Sequence, residues 1–400
     1  AAALALLHAL TGPWGLGLFR TGNLLSLLSA VAVLWFVYRV GLGLWGRRTA
    51  VAALVLTACN KLFFINAHKA GSDLLFLALV MAVLWLVLSG RTDTRSSLLV
   101  GVLAGLAFLT RYVGLVVPLW AVGAILLMRK KPEPWRIWLD ASGWVALGTL
   151  AVVGPWLVLG LVQTGSLLTT DNLQNVVRNF YPEGGPSGGF ESLTGILTHD
   201  PGHFFLHYFP HLAGWLGSDV GEVLGWPMAV LALLGLVAVL LPRGQRPRDL
   251  LVGWGLVYLV AIGVVFYLAR FSLPLVPVYA LLAASLLDRL PRWGTVAALL
   301  LMGYVLFWQV DYARTAVAFY RAEQPLYLER TIAFLNDEAR DWKGPNPPRL
   351  VARKPHAAWY GHKDYVAYPG RLDGAAELLA YASESGADYL AAGIIEHRFF

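Results

Sequence analysis

Long apolar runs recur along the chain from residue 21 to residue 310, and short polar segments separate them. A helix needs roughly 20 apolar residues to cross a bilayer, although several of these runs are shorter. Residues 97–110 and 112–128 are either two short helices that meet at Arg111 or one broken helix. The pattern predicts about ten transmembrane helices, at residues 21–38, 49–67, 72–89, 97–110, 112–128, 139–162, 223–241, 250–269, 271–287 and 294–310.

The pattern changes after residue 311, where a helical stretch over 326–341 leads into a GPNPP linker. Strand-like segments then alternate with helical ones, and this alternation predicts a small α/β domain. We therefore expect a membrane domain over 1–311 and an α/β domain over 312–400, which Phe400 is expected to cut short. The predicted strands are RLVAR, DYVAYP and ADYLAAG, and the helices lie around Ala357 and over 373–385.

Composition supports a membrane protein with several spans. Hydrophobic residues make up 58% of the chain and charged residues 14%, with a mean hydropathy of +0.61. Soluble domains contain about 25% charged residues, so a soluble or disordered protein is excluded. The one cysteine, Cys59, excludes a disulfide scaffold and a cysteine-based zinc site.

The distribution of charge predicts the orientation in the membrane. Residues 1–311 carry 20 Lys and Arg against 13 Asp and Glu, whereas residues 312–400 carry 11 of each. Of the 20 basic residues, 14 fall in one set of alternate loops and six in the other. The positive-inside rule makes the first set cytoplasmic. The basic excess thus favours anchoring by cytoplasmic loops over nucleic-acid binding, and we expect a protein of the cell (inner) membrane. Because ten crossings are predicted, Ala1 and the 312–400 domain are both expected outside.

The outer loop 164–222 contains two patterns that could carry chemistry. His199, His203, His207 and His211 recur every fourth residue, a spacing that could hold a metal. Two prolines interrupt the helix, however, and the surrounding aromatic residues favour a helix lying in the membrane interface. The glycines of PEGGPSGGF lack the lysine of a phosphate-binding loop and are interpreted as a lid or as slack. We predict neither a metal nor a cofactor.

The remaining histidines lie in the predicted α/β domain. We interpret His356, His362 and His397 as surface or packing residues, because no Ser/His/Asp arrangement accompanies them.

Ionisable residues at the outer ends of spans are the main candidates for a site, since charge within lipid is costly. Asp73 begins the third predicted span. Either Ser72 or Asp73 caps that helix, or Asp73 faces an outer cavity, and both can hold. Lys69, Arg111 and Arg270 lie on the same side. A lone arginine there would reach to the interface, whereas several cations converging on a carboxylate would form a phosphate or pyrophosphate site.

Several segments resemble GT-C-type membrane glycosyltransferases. These are KAGSDLLFLALVMAVLWLVLSG, SSLLVGVLAGLAFLTRYVGLVVPLWAV, QTGSLLTTDN, RFSLPLVP, VARKPHAAWYGHK and GADYLAAG. They are similar above all to the bacterial dolichyl-phosphate-mannose–protein mannosyltransferase-like family, with the lipid A aminoarabinose transferase as a more distant relative. The motifs are short, so they specify a superfamily rather than a substrate. The resemblance implies an all-α polytopic GT-C-like membrane domain with a small extracytoplasmic α/β domain.

The resemblance also implies a reaction. A sugar would pass, with inversion, from a polyprenyl-phosphate donor to a hydroxyl of an acceptor protein, lipid or glycan at the outer face. Asp73 matches the family's second outer acidic position, with a supporting role. Arg270 matches the arginine of the family's RY-L-P-L-P run, with Phe271 replacing tyrosine, and Arg111 matches its LTR/LTK position. With Lys69, these arginines are the candidate ligands of the donor phosphate.

The primary base of the family lies just after its first helix. Because the sequence opens within an apolar stretch without a methionine, we expect a fragment whose base would lie upstream of Ala1. The alternative function is a transporter or flippase of a lipid-linked or anionic substrate. Such a protein would favour broken helices at the bilayer midplane and inverted repeats, whereas here the charges collect at span ends. A non-catalytic scaffold is a third alternative.

Overall fold

The computed structural model describes residues 2–11, 18–128, 134–165, 173–181, 190, 193–241, 246–338, 342, 344, 346–352, 358, 361–367 and 375–391. The chain forms two compact units, Ala1–Ala313 and Arg314–Phe400. The described secondary-structure elements of the first unit are all helices. Residues 182–189 of the PEGGPSGGF segment, the predicted helix around Ala357, His356 and His397 lie outside the described residues.

The helices of the first unit are numbered in chain order, and the last of them, α15, continues beyond Ala313 into the second unit. They are α1 (Ala2–Thr11), α2 (Leu18–Leu44), α3 (Arg47–Ala58), α4 (Lys61–Ala67), α5 (Asp73–Leu88), α6 (Thr94–Thr110), α7 (Val116–Leu127), α8 (Trp135–Thr164), α9 (Leu173–Phe180), α10 (Leu193–His199), α11 (Pro201–Ser218), α12 (Trp226–Leu240), α13 (Arg246–Ile262), α14 (Val276–Ser285) and α15 (Arg292–Glu338). Short 3-10 helices occupy Tyr112–Leu115, Ala269–Leu275 and Leu286–Asp288, and a π-helix occupies Asp219–Leu224.

Several helices are long and apolar enough to cross a membrane. Four described segments meet this criterion alone: Arg20–Leu44, Trp135–Gln163, Ala269–Asp288 and Trp293–Thr315. Two bent pairs raise the number to as many as six, namely α3 with α4, bent by 66°, and Pro201–Leu224 with α12, bent by 118°. The chain is therefore a multi-pass membrane protein, while the count of about ten stays a prediction.

The ambiguity at Arg111 is resolved as two helices. α6 ends at Thr110, Arg111 adopts an extended conformation with φ −151° and ψ 136°, and a 3-10 turn leads into α7. Arg111 is the C-cap of α6 and directly precedes the 3-10 helix Tyr112–Leu115, so its side chain lies at the turn between α6 and α7. This break therefore sets the position of the Arg111 guanidinium.

α5 forms the centre of the first unit. Its residues are apolar on every side, as expected of a helix enclosed by other helices. Phe76, Leu77 and Met81 are among its fully buried side chains, and α5 packs against α2, α6 and α7. Because the core holds this helix from all sides, its first residue, Asp73, has a fixed position.

Glycines allow α6 and α8 to approach closely. A side chain at Gly101 would lie 2.2 Å from the Val145 carbonyl oxygen, and one at Gly148 would lie 2.6 Å from the Leu98 carbonyl oxygen. Small residues at such contacts let helix backbones touch, which stabilises association within lipid. The pairing of α6 with α8 places the end of α6, and thus Arg111, beside α8.

Basic residues collect at one end of the first unit. Arg248 donates hydrogen bonds of 2.9 and 2.6 Å to the Leu44 carbonyl, and Arg289 donates to the Ala238 carbonyl. With Arg47 and Arg48 they form an arginine-rich face. The opposite end of α2 lies near Gly71, whose carbonyl accepts a hydrogen bond from Ser26 at 3.4 Å. The two ends of α2 are about 40 Å apart, so the arginine-rich face lies far from Asp73.

A cap fixes the turn between α5 and α6. The Asp93 carboxylate accepts a 3.0 Å hydrogen bond from the Ser96 amide at the start of α6. Hydrogen bonds from Ser96 lower the pKa of the exposed Asp93 carboxyl. This cap begins the helix that ends at Arg111.

The second unit contains a parallel sheet. The strands β1 (Arg349–Ala352), β2 (Asp364–Ala367) and β3 (Tyr389–Ala391) lie in the order β2-β1-β3, and α16 (Ala375–Glu384) precedes β3. Successive residues of β1 point to opposite faces. Leu350 packs with Leu335 of α15 on one face, and Val351 packs with Leu378 of α16 on the other. These elements lie within the segments predicted for them, whereas the extracytoplasmic α/β domain stays a prediction.

Candidate active site

An ion pair joins Asp73 to Arg111 at the ends of α5 and α6. The Arg111 Nη2 and Asp73 Oδ1 atoms are 2.5 Å apart, and the two side chains are only 18% and 12% exposed. Ser72 occupies the N-cap of α5 and makes no side-chain capping bond there. The Asp73 carboxylate is directed at the arginine. The helix N-terminus adds partial positive charge that also favours this carboxylate. The structure thus brings together two of the predicted site residues.

Phe271 brings Arg270 to the same place. The guanidinium carbon of Arg111 lies 5.7 Å from the Phe271 ring centroid, and that of Arg270 lies 5.3 Å from it. Cations are attracted to the face of an aromatic ring at such distances. Arg270 is exposed and forms no ion pair with another described residue. Two arginines therefore share one ring, and one of them retains an uncompensated charge.

Tyr258 fixes the position of that ring. Its hydroxyl donates a 2.9 Å hydrogen bond to the Phe271 carbonyl, and its ring lies 6.4 Å from the ring of Phe76 in α5. Tyr258 is 1% exposed, so its hydrogen bond is held within the core. The helix that begins with Asp73 and the segment that carries Arg270 are linked through this tyrosine.

A small cavity of about 140 Å³ opens beside Arg111. Its aromatic wall consists of Phe108, Tyr112 and Trp156, whose rings contact one another at centroid distances of 5.7 to 6.1 Å. The Nε atom of Arg111 is buried without a hydrogen-bond partner among the described residues. A buried donor without a partner is costly, so Arg111 has hydrogen-bonding capacity to spare.

A second buried carboxylate, Asp219, was not predicted as a site residue. It lies in the π-helix before α12 and is 1% exposed. Tyr267 donates a hydrogen bond to Oδ1 at 3.3 Å and Tyr279 donates to Oδ2 at 3.2 Å. Ser272 faces the same carboxylate and accepts a 2.9 Å hydrogen bond from the indole of Trp215. Asp219 therefore binds the segments on both sides of Arg270.

Lys69 lies in the exposed turn immediately before α5. Its position places it on the same end of the unit as Asp73, since only three residues separate them. Another lysine, Lys61, is enclosed instead: its ammonium nitrogen lies 3.8 Å from the ring centroid of Tyr312 and 5.2 Å from that of Trp308. These rings hold the charge of Lys61, so this lysine serves packing.

The regularly spaced histidines use their rings for local contacts. The Nε2 atoms of His203 and His211 lie 2.8 and 2.9 Å from the carbonyl oxygens of Phe180 and Val265, and His207 Nδ1 lies 2.8 Å from the His203 carbonyl. Among the described residues, no group of three His, Cys, Asp or Glu side chains is placed to hold a metal. The interfacial position of α11 stays a prediction.

One protein family matches the N-terminal part of the chain. Residues 3–159 match the dolichyl-phosphate-mannose-protein mannosyltransferase family. No curated protein sequence matches the chain at a significant level.

Three solved structures have a similar fold. ArnT from Cupriavidus metallidurans bound to undecaprenyl phosphate aligns with a TM-score of 0.60 and 17% identity, over 94% of this chain and 75% of that one. The oligosaccharyltransferase AglB from Archaeoglobus fulgidus, in complex with an inhibitory peptide and a dolichol-phosphate, aligns with a TM-score of 0.54 and 12% identity, over 92% and 56%. The arabinofuranosyltransferase AftD from Mycobacteria aligns with a TM-score of 0.51 and 18% identity, over 90% of this chain and 26% of that one.

These neighbours are GT-C glycosyltransferases, so the resemblance inferred from the sequence motifs is confirmed. The chain is a membrane glycosyltransferase with the GT-C fold. Its N-terminal part is similar to the dolichyl-phosphate-mannose-protein mannosyltransferases. The match includes Asp73, which is the first acidic residue of the sequence.

Proposed function

We propose that this glycosyltransferase moves a sugar from a polyprenyl-phosphate donor to an acceptor hydroxyl at the extracytoplasmic face, with inversion at the anomeric carbon. The observation that carries this proposal is the convergence of Asp73, Arg111 and Arg270 around Phe271. Similarity to an ArnT bound to undecaprenyl phosphate and an AglB bound to a dolichol-phosphate supports a lipid-linked donor. The acceptor is a protein, lipid or glycan.

The balance of charge assigns different roles to the two arginines. Asp73 compensates Arg111, so this pair has no net charge, whereas Arg270 contributes a net positive charge to the site. A phosphate leaving group gains negative charge as its bond to the sugar breaks. A cation held next to the leaving oxygen stabilises this charge in the transition state. Arg270 is therefore the main ligand of the donor phosphate, and Arg111 orients Asp73 and contributes its spare Nε–H.

The reaction balances as a single displacement. The acceptor oxygen forms a bond to the anomeric carbon, the bond from that carbon to the phosphate oxygen breaks, and polyprenyl phosphate leaves with the electron pair. The acceptor proton passes to a carboxylate base. Asp73 supports this step by accepting a hydrogen bond from the acceptor or the donor. Lys69, in the exposed turn before α5, adds positive charge near the site.

The surroundings of the site suit a donor with a lipid tail. Leu109 of α6 is 41% exposed and Leu115 of the following turn is 49% exposed, on either side of Arg111. Exposed leucines in a membrane protein face lipid. The phosphate can therefore reach the arginines while the polyprenyl chain remains in the bilayer. We assign 164–222 to an outer loop and 312–400 to an extracytoplasmic domain.

The test is a transfer assay with purified protein in nanodiscs, polyprenyl-phosphate sugars and a panel of hydroxyl acceptors. We expect release of polyprenyl phosphate that depends on both substrates, and a product with inverted anomeric configuration. Movement of the lipid-linked sugar between leaflets of proteoliposomes, without release of polyprenyl phosphate, would instead support the flippase alternative.

A further inference from the structure

A second cavity lies on the arginine-rich face, far from the proposed active site. Its volume is about 420 Å³, within the range of about 300–1,000 Å³ common for ligand pockets. It opens between the start of α3, the 3-10 helix Leu286–Asp288 and the start of α15. The lining residues are Arg48, Leu287, Asp288, Leu290, Thr295 and Val296.

The arginines of this face differ in whether their guanidinium groups already have hydrogen-bond partners within the protein. Arg248 directs two hydrogen bonds at the Leu44 carbonyl and packs 5.2 Å from the Trp45 ring, and Arg289 directs one at the Ala238 carbonyl. Arg48 is exposed and makes no hydrogen bond or ion pair with another described residue. The guanidinium that lines the cavity is thus available for an anion.

One acidic residue opposes this charge. Asp288 also lines the cavity, and its Oδ2 atom accepts a 2.7 Å hydrogen bond from the Thr49 hydroxyl. Arg48 and Asp288 are the charged residues of the lining, and the neighbouring Arg248 adds positive charge close to Asp288. Arg48 would attract an anion bound in the cavity, and Asp288 would repel it. The two residues should therefore have opposite effects on the affinity for an anion.

The rim of the cavity is apolar. Val296 is 43% exposed, and α15 continues along the membrane with Leu299 and Leu300, which are 52% and 71% exposed. Trp293 at the start of α15 is 82% exposed, and tryptophan is enriched at the level of lipid headgroups. A ligand with an anionic head and apolar chains would match both the cavity and its rim.

We propose that this cavity binds the phosphate of an anionic phospholipid headgroup, with Arg48 as its main ligand and the acyl chains along α15. Arginine matches phosphate oxygens with paired hydrogen bonds, and basic pockets between transmembrane helices bind such headgroups. The Thr295 hydroxyl, which now donates to the Leu290 carbonyl at 3.1 Å, lies at the same wall. Binding of a phospholipid in this cavity does not require that the proposed sugar donor or acceptor be correct.

Native mass spectrometry of the full chain, titrated with phosphatidylglycerol or cardiolipin, tests the proposal. We expect Arg48→Ala to weaken binding at least about tenfold, as the loss of a hydrogen bond between charged groups implies. Asp288→Asn keeps an acceptor for Thr49 and should tighten binding about threefold. Arg95→Ala, another exposed arginine on the predicted cytoplasmic side, is the matched control and should leave the affinity unchanged.

Three results would overturn the proposal. Equal losses in Arg48→Ala and Arg95→Ala would indicate unspecific attraction to the basic surface, and equal binding of phosphatidylcholine would remove the role of the anionic headgroup. Displacement of the lipid by millimolar inorganic phosphate, with the same dependence on Arg48, would make the cavity a site for free phosphate. Since the variants change charge in opposite directions, a general loss of folding cannot reproduce the expected pattern.

Discussion

Asp73 and Arg111 form an ion pair of 2.5 Å between the first residue of α5 and the residue that ends α6. The pair connects two helix ends that the sequence separates by the whole length of both helices. It also neutralises one of the arginines expected to bind phosphate. The structure thus distinguishes a structural and orienting arginine, Arg111, from an available one, Arg270.

We expect Asp73→Asn and Arg111→Gln each to lower thermal stability, because each leaves its partner with an uncompensated and largely buried charge. Because the two side chains are 18% and 12% exposed, the cost should lie below the roughly 3–5 kcal/mol expected for a fully buried pair. The double variant should unfold near the temperature of the single variants, since the interaction is lost only once. Midpoints measured in one detergent test this expectation. Additive shifts in the double variant would show that the two residues do not act as a pair.

Asp73→Asn should also reduce transfer more than it reduces donor binding. A neutral amide can occupy the same place but cannot balance Arg111 or accept hydrogen bonds as strongly. We expect kcat to fall by at least about tenfold while the donor KM changes little. Turnover equal to that of the unmodified protein would leave Asp73 only a structural role, in the ion pair with Arg111 and at the N-terminus of α5.

Arg270→Ala should raise the donor KM and lower kcat, because the uncompensated positive charge beside Phe271 is lost. We expect kcat/KM to fall about a hundredfold, and Arg270→Lys to recover part of it. Arg91→Ala is the matched control, since the Arg91 guanidinium lies 5.6 Å from the Trp85 ring at the other end of α5. Unchanged donor kinetics in Arg270→Ala would remove this arginine from the phosphate site.

Asp219→Asn tests whether the buried carboxylate positions Arg270. An amide can accept from one tyrosine but presents N–H groups to the other, so we expect lower stability and a higher donor KM. Tyr279→Phe removes one hydrogen bond and should cost about 1 kcal/mol. Tyr304→Phe, at a residue 57% exposed, should have no effect. Stability that falls without any change in donor KM would limit Asp219 to a role in folding.

Two glycines of α8 predict opposite effects of the same substitution. Gly148→Ala would place a methyl group 2.6 Å from the Leu98 carbonyl oxygen, whereas Gly143→Ala would meet no atom within 4 Å. Alanine favours a helix over glycine by about 1 kcal/mol, so Gly143→Ala should be neutral or stabilising. Gly148→Ala should instead lower the melting temperature by forcing α6 away. A Gly148→Ala protein as stable as the unmodified one would contradict this contact.

Local pattern predicted the positions of helices well where one helix lies within one apolar run. The run over 97–128 contained its own break, because Arg111 interrupts apolar residues on both sides. α15 was less visible, since the sequence suggested separate helices over 294–310 and 326–341 while the structure forms one helix, Arg292–Glu338. The apolar run ends near residue 310, whereas the backbone remains helical to Glu338, so hydropathy alone did not reveal the full length of this helix.

The candidate site was predicted in part because charge within an apolar chain is conspicuous. Asp73, Arg111 and Arg270 stand out for this reason, and the structure brings them around Phe271. Asp219 was missed because its partners, Tyr267 and Tyr279, follow it by 48 and 60 residues and look like ordinary aromatic residues of spans. Their pairing depends on the fold of the 3-10 helix Ala269–Leu275, which no local pattern encodes.

The bonds that join helix ends on the arginine-rich face have a consequence for evolution. Arg248 and Arg289 direct their hydrogen bonds at the main-chain carbonyls of Leu44 and Ala238 rather than at side chains. Every amino acid offers that same carbonyl. Substitutions at positions 44 and 238 therefore leave the acceptors of these two bonds in place, whereas replacement of either arginine removes its donor.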